Sequence, residues 1–240
     1  IGTQTPSSKL TVDSGTTNTA YSPTSFNTAS QIKINVASTQ NNYAGIQFTH
    51  AGNTEGFIGL VRTSTAANEA DFVIQSYTAN VGYTEKLRID NSGTVTMPYQ
   101  PAFTVMGSGS WVAMSAASTV LVTGWSSVTQ RGGANFVSST GKFTAPVAGW
   151  YMFTFQSYTR VTSPSTGSHI YVRIYKNGTG FGSTGNIQHY GNAGDADTGT
   201  SHSSLIQMAA NDYVQAAFRA ESTGCSYHGG SQNFTGYLVG

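Results

Sequence analysis

Between Gly149 and Val161 the chain carries no proline, and it is apolar without a break from Trp150 to Phe153. A strand turns successive side chains to opposite faces, so Tyr151, Phe153 and Phe155 share one face while Trp150 and Met152 share the other. Apolar residues on both faces predict cover on both. A monomer satisfies this by burying the strand deep inside. The favoured reading places one face in a sandwich core and the other against a neighbouring chain about a three-fold axis, where aromatic rings supply contact area.

Similar runs surround it, at residues 143–145, 169–176, 203–208, 213–220 and 234–239. The links between runs alternate: 146–148, 177–180 and 209–212 are short, whereas 162–168, 190–202 and 221–233 are long. Successive links in an antiparallel sandwich lie at opposite ends. A jelly-roll order therefore gathers the long links into a crown and the short ones into a base, with the C-terminus and the strand that starts near Pro101 at the base. Charged residues are only 9% of the chain, so the residues that usually build helices are scarce and little helix is expected.

The first part of the chain holds an internal repeat. Lys9-Leu10-Thr11-Val12-Asp13-Ser14-Gly15-Thr16 returns as Lys86-Leu87-Arg88-Ile89-Asp90-Asn91-Ser92-Gly93-Thr94, with one inserted Asn. Each copy reads as a strand entering a tight turn whose Gly is free to take positive φ. Short alternating runs at 31–36, 45–49, 56–62 and 71–77 lie between the copies. Residues 1–98 thus form a small β module, and Pro98 and Pro101 interrupt any continuing ladder. Residues 99–240 form the second domain, and the fold class is all-β.

Several functions are excluded. A formal charge of +1 with no Lys/Arg cluster excludes a phosphate-backbone partner. A single cysteine, Cys225, excludes an intrachain disulfide. No apolar run is long enough to insert in a membrane as a helix, and the opening Ile1 suggests a piece of something longer. No Gly-x-Ser-x-Gly, His-Glu-x-x-His or phosphate-loop Lys is present, and no catalytic residue is assigned. Gly180-Phe181-Gly182-Ser183-Thr184-Gly185 spells a dinucleotide fingerprint without its strand–helix unit, and reads as a glycine-rich loop or edge strand.

From Trp125 to Phe155, the positions of Phe136, Phe143, Gly149, Tyr151, Phe153 and Phe155 resemble the signature of the complement component one q family. Trp125 stands where that family usually has Phe, and Arg131 where it usually has Asn or Asp. Pro101-Ala102-Phe103, Lys176-Asn177-Gly178 and the closing Phe234-Thr235-Gly236-Tyr237-Leu238-Val239-Gly240 extend the resemblance over residues 101–240. It implies a ten-stranded jelly roll, similar to tumour necrosis factor, assembled as a homotrimer with both termini at its base. It also implies calcium near the trimer apex, for which Asp195 and Asp197 are the candidates. His189 and His202 add nitrogen donors to that set, and a solvated loop is the plainer reading. No other cofactor is expected.

The opening Ile1-Gly2-Thr3-Gln4-Thr5-Pro6-Ser7-Ser8-Lys9-Leu10-Thr11-Val12 resembles a segment common in phage tail and fibre proteins. The two resemblances together imply a phage fibre tip on a virion, with residues 1–98 as stalk or spacer joined to upstream fibre proteins. Its crown would attach to a host cell-surface glycan or protein. Sugar recognition pairs aromatic faces with planar hydrogen-bonding groups, and Tyr158, His169, Tyr190, Asn192, Tyr227, His228 and Gln232 lie in or beside the long links. The rival readings are a secreted lectin-like trimer, a purely structural fibre and a polysaccharide-degrading enzyme. For the first of these, Asn177-Gly178-Thr179 and Asn233-Phe234-Thr235 are formal glycosylation sites.

Overall fold

The structure is a computed structural model and describes residues 40–50, 53–64, 69–162, 168–189 and 194–239. The chain divides into two compact units, Ile1–Met97 and Pro98–Gly240.

The described part of the first unit is one antiparallel meander. β1 (Tyr43–His50), β2 (Asn53–Arg62), β3 (Ala70–Thr78), β4 (Gly82–Ile89) and the short β5 (Val95–Thr96) pair in chain order. The turn between β4 and β5 is the one expected from Asp90-Asn91-Ser92-Gly93. The Asp90 carboxylate accepts the backbone N–H groups of Ser92 and Thr94 at 2.9 and 2.8 Å, and Gly93 sits at φ 88°. The other copy of the repeat, and the run at 31–36, lie outside the described residues.

The second unit is a sandwich of two sheets. Its strands are β6 (Ala102–Met106), β7 (Trp111–Ala113), β8 (Ser118–Leu121), β9 (Ser127–Arg131), β10 (Phe136–Val137), β11 (Lys142–Thr144) and β12 (Gly149–Val161). β13 (Ser168–Lys176), β14 (Thr179–His189), β15 (Ala196–Met208), β16 (Tyr213–Ala220), β17 (Cys225–His228) and β18 (Asn233–Leu238) follow. One sheet of six strands runs β10-β11-β16-β13-β14, with β8 also on β16. The other, of seven, is built on β12, which pairs with β15 along one edge and with β18 and β17 along the other. β18 in turn pairs with β6, which pairs with β9, and β17 carries β7. Chain neighbours β12 and β13 lie in different sheets, which is the crossover of a jelly roll. The six and seven strands exceed the expected ten because the short β7, β8 and β17 join the framework.

Tyr151, Phe153 and Phe155 point inward and are fully buried, with Phe103, Phe136, Phe143, Phe218 and Phe234 around them. Rings stack along this layer: Phe103 lies 4.9 Å from Phe136 and 4.8 Å from Phe143, centroid to centroid. Trp125 is accommodated where a smaller ring was expected, because its indole N–H donates to the Val122 carbonyl at 3.3 Å while its rings meet Phe136, Phe155 and Phe234. Gly236 in β18 leaves the space in which Phe153 and Phe103 meet.

The opposite side of β12 is open in the single chain, which is not the deep burial of the monomer alternative: Trp150 is 45% exposed, and Leu205 of β15 and Tyr237 of β18 are exposed beside Met152. Among the described residues, only the inner face meets a second sheet of the same unit.

The link geometry follows the base-and-crown reading. At one end Asn177 N–H donates to the Tyr213 carbonyl, and Ala145 N–H to the Asp212 carbonyl, tying the short links together. Leu238 N–H donates to the Pro101 carbonyl at that end. At the other end Val161 pairs with both Ala196 and Cys225, and Ser168 pairs with His189. The link expected over 190–202 is shorter than read, since β15 already begins at Ala196. His202 therefore lies in mid-strand opposite Phe155, buried and bonded to Ser204 Oγ at 2.9 Å, and takes no part in the crown. Thr and Ser residues around it gave no apolar alternation by which this stretch could be read as a strand.

Candidate ligand-contact site at the crown

The outer face of the seven-stranded sheet changes character along β12. Toward the base it carries Trp150 and Met152, and toward the crown it carries Tyr158 and Arg160. Register then decides the neighbours. Arg160 faces Asp197 on β15 and Ser226 on β17, and β17 places His228 opposite Trp111 of β7.

Arg160 is the centre of the group. Its Nε and Nη2 donate to Asp197 Oδ1 and Oδ2 at 2.6 and 2.8 Å, a bidentate pair, and Nη1 lies 3.6 Å from Asp195 Oδ2. Its guanidinium also sits 4.3 Å from the centre of the Trp111 ring, within cation–π range. The Tyr158 hydroxyl donates to Asp197 Oδ2 at 3.1 Å, and the Tyr158 ring lies 5.6 Å from Trp111. His228 meets Trp111 edge-on at 5.2 Å, with its Nδ1 3.0 Å from Ser231 Oγ. The hydrogen bond to Asp197 is the main reason why the pKa values of both Arg160 and Tyr158 are raised.

Asp195 and Asp197 consequently face a guanidinium rather than the opening a divalent ion needs. Among the described residues no three His, Cys, Asp or Glu side chains gather as a metal set. The physical reason is register: thirteen consecutive β12–β15 pairs bring Arg160 directly opposite Asp197.

The expected contact residues separate into four places. Tyr158 and His228 join the cluster. Tyr227 turns inward and stacks on Phe218 at 4.8 Å, and burial pushes its hydroxyl pKa up. Gln232 is buried, donates to the His228 carbonyl at 3.3 Å, and holds the 3-10 turn Gly229–Ser231 in place. His169 lies on the six-stranded sheet, edge-on to Tyr171 at 5.6 Å, and its buried Nδ1 has no hydrogen-bond partner. Tyr190 and Asn192 lie outside the described residues.

Trp111 and Arg160 were missed. Tyr158 was named for its place beside a long link, and the alternation that puts Trp150 and Met152 on the outer face reaches Tyr158 and Arg160 equally. Trp111 follows Gly107-Ser108-Gly109-Ser110, and a lone indole in a run of small residues has no core partners nearby in sequence.

The second unit is thus a jelly roll with a sealed aromatic core and a crown that gathers aromatic, guanidinium and imidazole groups on an outer sheet face. The C1q domain family matches residues 102–239, and the chain belongs to that family. C1q domains are globular heads of the tumour necrosis factor type, generally non-enzymatic, and typically form trimers that bind proteins or glycans. Among solved structures, the globular domain of zebrafish complement 1qA protein is similar at 18% identity and a TM-score of 0.42, over 59% of this chain and 98% of that one. No curated protein sequence matches the chain.

Proposed function

We propose that residues 99–240 are the receptor-contact head of a trimeric adhesin, carried at the tip of a phage fibre in which residues 1–98 serve as stalk. The head binds surface glycan on a host bacterium through the crown group of Trp111, Tyr158, Arg160 and His228. One observation carries this reading: the Trp111 ring is held between a cation, a tyrosine and an imidazole on an outer sheet face. An aromatic platform bordered by planar donors suits the apolar C–H patches and hydroxyls of a sugar. The exposed apolar stretch of Trp150, Leu205 and Tyr237 nearer the base supplies the face that copies of the head share. Three shallow sites on one trimer gain roughly 10²–10⁴-fold in avidity on a repetitive surface.

A secreted lectin-like trimer fits the same family. Against it stand the two formal glycosylation sites, whose amide nitrogens are engaged within the fold. Asn177 Nδ2 donates to Asp212 Oδ1 at 2.7 Å, and Asn233 Nδ2 donates to Thr104 Oγ1 and the Val105 carbonyl, both at 3.2 Å. An attached sugar would cost those bonds.

The test compares the purified chain with Trp111→Ala and His228→Ala variants for binding to intact bacterial cells and to isolated surface polysaccharide, after light scattering has established the assembly of each. Saturable binding by a trimeric wild-type chain, lost in folded variants, is the expected result. Full binding by the variants would remove the crown from the proposal, and absence of binding by a trimeric wild-type chain across candidate hosts would favour a structural fibre.

A further inference from the structure

The outer face of the six-stranded sheet gathers charge from distant parts of the chain. The β13–β16 ladder is unbroken from Ile170 to Lys176, and Ile170, Val172 and Ile174 point into the core. His169, Tyr171, Arg173 and Tyr175 therefore share the outer side, all half-buried. Register sets Arg219 of β16 opposite Tyr171, and Glu221 N–H donates to the His169 carbonyl at 3.1 Å, which closes the crown end of the group. Arg173 and Arg219 thus stand on neighbouring strands, although no basic cluster is visible in the sequence.

The two arginines differ in their partners. Arg219 is engaged by Glu221, to which its Nε and Nη2 both donate. Arg173 forms no ion pair among the described residues. Its guanidinium lies 4.8 Å from the centre of the Tyr171 ring, and its Nε is buried without a hydrogen-bond partner, as is His169 Nδ1. On the other side Arg173 is flanked by Tyr175, whose hydroxyl is 3.3 Å from Thr119 Oγ1. A cation that has lost water without gaining an acceptor favours an anion beside it. The field of the group already acts on Glu221, whose carboxyl is held below its ordinary value first by the hydrogen bond from Arg219 and further by His169 and Arg173.

We propose that this face is a second ligand site of the head, one that takes the carboxylate of an acidic sugar. Arg173 supplies the planar fork that a carboxylate accepts. Tyr171 and Tyr175, two residues to either side of it, supply ring surface for sugar C–H groups and hydroxyls for its O–H groups. Glu221 at the margin favours a singly charged carboxylate over a phosphate dianion, which it repels more strongly. The inference goes beyond the crown group, because Trp111 and Arg160 lie on the other sheet. The apolar stretch of Trp150, Leu205 and Tyr237 lies on that other sheet too, so sharing it between copies leaves the Arg173 face open.

Oligosaccharides of galacturonate and of glucuronate are the probes, each beside its methyl ester, in which the same rings lack charge. Calorimetry on the full chain is expected to show saturable binding of the acids that weakens with added salt, and none of the esters. Arg173→Gln should weaken binding about tenfold with an unchanged melting temperature. Glu221→Gln removes the opposing carboxylate and releases Arg219, and should tighten binding several-fold, which keeps the test decisive even where Arg173→Gln fails to fold. Trp111→Ala should bind the acids as the wild-type chain does, so loss of cell attachment at the crown and loss of this site are read separately. Absence of binding by the wild-type chain, equal binding of the esters, or unaltered binding by folded Arg173→Gln would each overturn the proposal. Binding lost in Trp111→Ala would assign the carboxylate to the crown and overturn it as well. Displacement of the acids by equimolar inorganic phosphate would make this a general oxyanion site and overturn the acidic-sugar assignment.

Discussion

Arg160 and Asp197, on adjacent antiparallel strands, form a bidentate ion pair whose guanidinium lies 4.3 Å from the centre of the Trp111 ring. The pair is partly open to solvent, so its contribution to folding is small, and its effect is to position a cation on an aromatic face. Asp197→Asn removes the charge that orients Arg160. The expected outcome is an unchanged melting temperature, several-fold weaker binding to cells, and a shift in tryptophan emission as the guanidinium leaves Trp111. Full binding with unaltered emission would show that the pair orients nothing.

Phe153 and Gly236 meet across β12 and β18 with no space for a side chain. A Cβ on Gly236 would fall against the Phe153 ring and only 2.6 Å from Phe103 Cε1. Gly236→Ala is expected to destabilise the head by ~1–3 kcal/mol through overpacking. Adding Phe153→Leu should return part of that loss, so that the double mutant is less unstable than the sum of the singles, as denaturant titration would show. Additive losses would mean that the two positions do not share this space.

His202 is buried between the strand ladders, and burial holds its pKa below the ordinary value of 6.5. The unfolded chain then takes up a proton at a higher pH than the folded one. Stability is fully present above about pH 6.5 and falls as pH drops from there toward the lower folded value. The melting temperature of the wild-type chain should therefore decrease between about pH 7.5 and 5.5, and His202→Gln should flatten that dependence. A wild-type profile as flat as that of the variant would contradict the burial argument.

At the base, the Asp212 carboxyl is held down to about 2, first by the hydrogen bond from Asn177 and then by Lys176 and the Ala209 N–H. A depressed carboxyl stabilises the fold above its unfolded value and loses that contribution as pH falls through about 2. Asn177→Ala should raise the Asp212 pKa toward its ordinary value of 3.8 and move acid unfolding to higher pH. An NMR titration of the Asp212 carboxyl checks this directly, and an unmoved value would assign the effect to Lys176 and the Ala209 N–H.

The second unit was legible where the pattern was local. Tyr151, Phe153 and Phe155 alternated on one face and are all buried, and the short and long links fell at opposite ends. It was less legible where long-range pairing decided the outcome. Asp195 and Asp197 carried a metal ligand's chemistry, but their partner lies more than thirty residues earlier, on another strand. Tyr227 and His228 are neighbours with equal claims as contact residues, yet one stacks on Phe218 in the core and the other meets Trp111 outside.

By itself the sequence determined the apolar strands, the short turns between them and the parity of their side chains, because these follow from the two-residue period of extended chain and from the φ preferences of Gly and Asn. Tertiary structure alone decided which face would be covered and by what. Strand pairing joins residues far apart in the chain, and a one-residue change of register exchanges the two faces. For that reason the pairing of Arg160 with Asp197, and with it the charged crown of the second unit, emerged only when the sheets were assembled.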